Sequence, residues 1–560
     1  MLYVSTSLPI PVNALLEGRS NDYVYLKLGP SKRDENNKIK HNKLLIGKLC
    51  EEPNFFHPND KYYTHFNITP PTDSVTIKPG KKKKEKKEIH YSELPNHSKA
   101  AVGYSIASYG VAQKLKIIEI LESIFGEIIA RKILAIASYF LYTETSSCHQ
   151  LDVYSKKHIL FTDTILTSQR ASEIFAIIKP ELIGEFFRKW IELNALPDFI
   201  FYDVTSISSY STNIKKVKWG YNRDNEKLKQ FNLGLFVSKV TRLPLFYSSY
   251  DGSINDFQNF QNVLNNARDF GIDDKFTIVF DGIFSTKKTV DYCNYRNNKI
   301  IVGLPLSKSK SAKNRILKWR RNKSAIFEWD SELSGDKIES SETEFKIGDV
   351  KGRLVMYHSL DRKYLDDIST LEELNEAKKK LKENNNLFNK REKPSVTKYC
   401  KCTTIKKDDF VKYKYELDEE KITNLFLTNG CFALFTTDSN INSYDLLKTY
   451  RYKDVCEKSF ENIKVDIING RLYVNKDETL EGKLFVVFIS LILRTAFWLA
   501  LRDMIRQTHS SLMHCIHSLG QVECRKNGDQ WVLVDSISAE VRRTLKILEI
   551  PIENLEKTIM

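Results

Sequence analysis

The residues most able to do chemistry sit in one stretch, Tyr450-Arg-Tyr-Lys453-Asp-Val-Cys-Glu457-Lys-Ser-Phe-Glu461-Asn-Ile-Lys464. It contains no Pro or Gly, so it is predicted to form one helix. Positions seven apart nearly eclipse each other on a helix. Tyr450, Glu457 and Lys464 then share a face, with Lys453 and Glu461 beside them. A carboxylate there can ligate a cation, and the flanking ammonium groups can hold an anion. A solvated helix with i,i+4 charge pairs has the same appearance, so the helix alone decides nothing. Two upstream carboxylates, Asp203 and Asp281, shift the balance.

Each of those aspartates follows an apolar run that reads as a strand. The first is Phe199-Ile-Phe-Tyr202-Asp203-Val-Thr205 and the second is Phe276-Thr-Ile-Val-Phe280-Asp281-Gly282. Between them lie two further predicted strands, at 231–238 and 243–250, and a helix from Asp256 to Phe270. A helix at 286–295 and a strand at 299–305 follow. Three strands, helix, strand, helix, strand is the order of a ribonuclease-H-like (retroviral-integrase-like) α/β core. In that topology the first and fourth strands run parallel side by side, and their C-terminal ends meet at the usual ligand-binding edge. Asp203 and Asp281 are therefore expected to face each other. A single aspartate after a strand is commonly a turn residue or helix cap; a pair on adjacent strands is harder to explain that way.

The rest of the chain divides around this core. Residues 1–99 read as short strands and a basic linker, Lys78 to Glu88. Residues 100–195 turn helical, with Ile117, Ile118, Ile120, Leu121, Ile124 and Phe125 at helical spacing. A basic helical region suits DNA binding by a helix in a groove, although plain helix packing explains the same apolar positions. The core occupies 196–305 and resumes at 441–515. Residues 306–440 are expected to form a β-rich insertion, and 516–560 a C-terminal tail.

Composition narrows the partners. Apolar residues make up 41% of the 560, enough for ordinary cores and against disorder throughout. The formal net charge of +15, from 86 Lys+Arg against 71 Asp+Glu, favours polyanions. A lysine-rich surface serving solubility is the alternative. The nine cysteines form no framework, and Met1 to Ile10 has no basic start, so reduced thiols in a cytoplasmic compartment are expected. Cys400-x-Cys402 is too tight for a usual zinc pair. Arg494 inside the apolar run 484–501 argues for a core helix and against a membrane span.

The combined motifs resemble the DDE transposases of bacterial and archaeal insertion sequences, in the "IS four" group. That group carries Tyr-x-x-Arg-x-x-x-Glu-x-x-x-x-x-x-Lys on its glutamate helix, matched here by Tyr450, Glu457 and Lys464, with Lys453 in the arginine slot. Tyr202-Asp203-Val-Thr205, Gly220-Tyr-Asn-Arg223-Asp224 and Val279-Phe-Asp281-Gly-Ile-Phe-Ser285 are similar too. The likeness runs from about residue 20 to 515 by motif order. Two positions depart from it. Lys453 keeps the charge but lacks the two-donor fork of arginine, and Gly282 stands where a basic residue usually follows the second aspartate.

The resemblance implies a metal-dependent enzyme that cuts the ends of a DNA element and joins the freed 3′-hydroxyl to target DNA. Asp203, Asp281 and Glu457 would be both catalytic residues and ligands of two Mg2+ (or Mn2+) ions, with Asp203 bridging. Tyr450, Lys453 and Lys464 would bind DNA phosphates. Some members pass through a hairpin with a flipped base held by an aromatic in the insertion, which points to Trp319 and Trp329, though core packing suits them as well. A homodimer on DNA, nucleoid association and no membrane complete the expectation. A non-catalytic derivative that only binds DNA, and a metal-dependent nuclease of the same fold, are the alternatives.

Overall fold

The computed structural model describes residues 3–4, 7–17, 23–29, 32–33, 39–40, 42–50, 54–69, 76–77, 89–194, 199–222, 226–254, 256–272, 276–322, 331–333, 336–392, 394–407, 410–528, 530–534 and 537–551. The expected linker 78–88, the expected strand 324–329 and Trp329 lie outside the described residues.

Two compact units divide the chain, Met1–Glu88 and Ile89–Met560. The first holds a five-stranded antiparallel sheet that includes Tyr23–Lys27 and Lys43–Leu49, both predicted as strands. Val24, Leu26, Ile46 and Phe56 form its small core.

The second unit is organised by a nine-stranded mixed sheet. Its strands are β1 (Phe199–Ser208), β2 (Gln230–Ser238), β3 (Pro244–Asp251), β4 (Thr277–Phe280), β5 (Lys299–Gly303), β6 (Ser331–Leu333), β7 (Asp336–Ile347), β8 (Val350–Ser359) and β9 (Cys431–Thr436). Their order is β3-β2-β1-β4-β5-β9-β8-β7-β6. β1, β2 and β3 form an antiparallel meander, while β1, β4 and β5 run parallel. The helices α1 (Asp256–Asp269) and α2 (Lys287–Tyr295) make the crossovers. Nearly every residue of β1, β2, β4 and β5 is buried, as strands covered on both faces require.

The insertion departs from expectation. It is mixed α/β, and part of it is continuous with the core. β9 returns antiparallel to β5 and carries β8, β7 and β6 outward, so the edge that β5 would leave open is paired. The basic stretch after β5 is a helix, Lys310–Arg321. A long helix, Leu360–Glu383, then leads to a separate three-stranded sheet with its own small core around Tyr399 and Tyr415.

The helices between Gly103 and Asn194 share one apolar core with the sheet, with α3 (Ser443–Arg451) and α4 (Asp454–Glu461), and with α5 (Asp477–Thr508). Lys99–Ala101, placed at a boundary by sequence, pairs with Glu523–Asn527 of the C-terminal hairpin. α5 is long and apolar enough to cross a membrane by composition, yet 72% of its most apolar window is buried inside the fold. Arg494 in that run pairs with Asp466 at 2.6 Å.

Candidate active site

The sheet brings the two aspartates to one edge. Tyr202 of β1 lies opposite Phe280 of β4 in parallel register, so the next residues, Asp203 and Asp281, follow side by side. β1 does not end at Asp203 as its apolar run implied; it continues to Ser208 because β2 pairs with it along that whole length. Asp281 sits where β4 gives way to a short 3-10 turn, Gly282–Phe284, and its carbonyl accepts from the Phe284 N–H at 3.0 Å.

The glutamate segment is not one helix. α3 (Ser443–Arg451) and α4 (Asp454–Glu461) are separated by a turn at Tyr452–Lys453, and α4 widens into a π-helical turn, Asn462–Ile467. At the junction the backbone bonds tighten to i→i+3: Lys453 N–H to Tyr450 carbonyl at 3.0 Å and Cys456 N–H to Lys453 carbonyl at 2.8 Å. A tightened turn followed by a widened one rotates side chains away from ideal α-helical phase. The expected stacking of Tyr450, Glu457 and Lys464 on one face therefore does not carry over.

The largest consequence falls on Lys453, expected to bind DNA phosphates. Its side chain is buried, with Nζ 2.7 Å from Glu457 Oε1 and 3.8 Å from Asp203 Oδ2. Burial works against its charge, but the Asp203 and Glu457 carboxylates outweigh that and raise its pKa above the ordinary lysine value. Asp203 Oδ1 accepts the Val204 N–H at 2.8 Å. Burial pushes the Asp203 carboxyl above the usual range against the pull of Lys453, and Asp281 and Glu457 push it the same way. Glu457 itself is 58% exposed at the side chain and open to solvent.

Tyr450 packs its hydroxyl over the backbone of Gly303, at the end of β5. A Cβ at position 303 would lie 2.4 Å from that oxygen, so only glycine leaves room. Burial, and then the Asp281 carboxylate, push the phenol up to about 12, so it stays a neutral donor at working pH. Gly303→Ala should displace Tyr450 and cost about 1–2 kcal/mol, the usual scale of a forced repacking; a denaturant melt of the two proteins measures it.

The remaining expected site residues lie elsewhere. Lys464 is in the π-helical turn near Glu226, whose pKa is lowered by Ser208, then by its Arg471 pair, with Lys464 adding to the effect. Trp319 is half-buried on the Lys310–Arg321 helix, packed against the main core with the Arg320 guanidinium 5.4 Å from its ring centre. The ring is thus partly taken up by core packing. Arg451, two residues before the lysine, lines a separate cavity of about 720 Å³ with Tyr452 and Arg494.

Three carboxylates are the right donors for Mg2+ or Mn2+, which take oxygen ligands. Their charge also matches a site that already gathers a buried cation. A preformed three-ligand metal group is absent among the described residues, and Glu457 is paired with the Lys453 amine at 2.7 Å. The donors fit divalent ions by type and charge, and Lys453 holds two of them in this arrangement.

Residues 194–493 match the family of transposase DDE domains. The chain belongs to that family. The DDE transposase domain thus spans β1 to the middle of α5 and contains all three carboxylates. Its catalytic fold is mixed α/β and ribonuclease-H-like. Among solved structures, the chain is similar to the piggyBac transposase in its synaptic complex with hairpin DNA, at 10% identity and a TM-score of 0.32, over 80% of this chain and 77% of that one. No curated protein sequence matches it.

Proposed function

We propose that this DDE transposase moves an insertion-sequence element of the "IS four" group, cutting DNA at the element ends and joining the 3′-hydroxyl to a target. The observation that carries the reading is that Asp203 and Glu457, far apart in the chain, both reach the buried Lys453 amine, while Asp281 follows β4 next to Asp203 on β1. The spacing of Tyr450, Glu457 and Lys464 and the +15 charge support it.

Bound divalent ions, when present, stabilise the attacking and leaving oxygens of a phosphodiester and make water nucleophilic at neutral pH. Asp203, Asp281 and Glu457 are the residues to hold them. Lys453, displaced from the carboxylates, supplies positive charge to the strand, and the neutral Tyr450 hydroxyl donates a hydrogen bond beside it. Lys464 adds a cation further along. The helices between Gly103 and Asn194 contribute duplex contacts, and strand transfer needs two ends held together, so the working form is a homodimer on DNA in the nucleoid.

Incubating the protein with DNA from the flanks of its own coding region, with Mn2+ or Mg2+, tests this. Nicks at inverted repeats are the expected result; no cutting with either metal, alongside tight salt-sensitive binding, would turn the reading to the DNA-binding derivative. The Lys453–Glu457 pair, which keeps the ligands from forming a ready cage, is the observation favouring that second reading.

A further inference from the structure

The helix Leu360–Glu383 carries two apolar faces, and the fold covers one of them. Thr370, Leu374, Ala377 and Leu381 are buried, the last three in the small core around Tyr399 and Tyr415. About a third of a turn round the helix lie Tyr364, Leu365, Ile368 and Leu371, which are 68%, 66%, 40% and 49% exposed. Tyr364, Ile368 and Leu371 follow one another at spacings of four and three, so they form one stripe. Apolar residues scattered singly on a surface need no explanation, whereas a contiguous run of large ones does. The helix beneath them is firmly tied. Ser359 Oγ accepts the Arg362 N–H at 3.1 Å, Asp366 Oδ2 accepts the Gly430 N–H at 2.9 Å, and Asp367 Oδ1 accepts from the Asn429 amide at 2.8 Å. The stripe is therefore held outward.

The charges beside the stripe suit a second copy of the same helix laid antiparallel. Asp361 and Lys379 are both exposed and stand 18 residues apart, which is about five full turns. They therefore lie on one flank of the helix, at opposite ends and about 27 Å apart. A twofold axis midway between them, near Thr370, brings Asp361 of each copy to Lys379 of the other. The same axis puts Ile368 and Leu371 of both copies at the centre. Asn375 continues the spacing of the stripe beyond Leu371, and a polar residue at such a position fixes register. Antiparallel helices also set each positive end beside a negative one. A parallel pair would instead place Asp361 against Asp361 and Lys379 against Lys379.

We propose that the stripe on the Leu360–Glu383 helix is the contact by which two copies of this chain pair, antiparallel about a twofold axis near Thr370. The proposal rests on the homodimer reading above and gives that dimer a surface. Central apolar side chains supply the affinity, and the flanking Asp361 and Lys379 set the orientation. One stripe per copy makes a small interface, so the pairing is reversible and depends on concentration. Two DNA ends held by two copies raise their effective concentration and reinforce it.

Sedimentation equilibrium of the full chain without DNA, over a range of protein concentrations at low salt, tests this. The wild type should show a reversible monomer–dimer equilibrium. Ile368→Glu should weaken it about 10-fold or more, because each dimer loses two central side chains and gains two charges there. Asp361→Lys and Lys379→Glu should each weaken it about 5-fold. The double variant carrying both should return to the wild-type constant, which a merely structural effect of either change does not produce. All three positions are exposed, so thermal midpoints measured at dilution should stay unchanged and exclude misfolding. A wild type that stays monomeric, as when a different protein covers the stripe, overturns the proposal. A dimer whose constant Ile368→Glu leaves unchanged, or a double variant weaker than either single one, overturns it too. Metal-dependent cutting of DNA by the wild type, measured separately, decides the transposase reading whatever the helix does.

Discussion

Asp203→Asn, Asp281→Asn and Glu457→Gln are each expected to lower metal-dependent strand cutting by about 10²–10³-fold or more, the scale on which one strong transition-state interaction is lost. Each substitution keeps size and removes a charge that a divalent ion would need. Asp203→Asn carries a second expectation. Burial holds the Asp203 carboxyl above its ordinary value, yet the same carboxylate supports the buried Lys453 amine. The asparagine variant should lose the rise in thermal midpoint that Mn2+ gives the wild type. Loss of activity together with loss of that metal-dependent rise separates a metal-binding carboxylate from a structural one. Cutting that persists in all three variants would remove these residues from the mechanism.

Lys483→Met is expected to stabilise the protein by about 3 kcal/mol at pH 7. Lys483 lies on α5 and is only 2% exposed. Its amine donates to the Tyr473 carbonyl at 3.3 Å and lies 5.8 Å and 5.9 Å from the ring centres of Phe140 and Phe175. Burial lowers its pKa from 10.5 to about 8. Here the unfolded chain binds the proton more tightly, so the penalty is complete below pH 8 and is relieved as pH rises towards 10.5. The wild type and the variant should therefore converge in denaturant stability between those values, with methionine filling the same apolar space. Parallel curves with a constant gap from pH 7 to 10.5 would show that the buried amine does not carry the cost.

Much of the core was legible in the chain itself. The runs ending in Phe280 and Gly303 are short, apolar and bounded by Gly, Asn or Asp, and they form β4 and β5 within two residues of expectation. Strand order followed from element order, because short right-handed crossovers leave few ways to lay strands down. Asp203 and Asp281 became neighbours for that reason. The insertion was less legible, since β9 finds β5 and β8 through pairings between distant segments that no local pattern encodes.

The amino-acid sequence alone pointed to three acids and determined the α/β strand order that brings two of them to one edge, and a basic chain suited to a polyanion. Tertiary structure decided where the cations and aromatics point. Lys453 turns inward because the helix tightens at Tyr452 and because the Asp203 carboxylate from a remote strand, with Glu457 one turn further on, outweighs the cost of burying its charge. Trp319 packs partly inward and Tyr364 stays out because burial is set by which surfaces meet. Local periodicity records the preferences of one segment, whereas side-chain direction at a junction depends on partners far away in the chain.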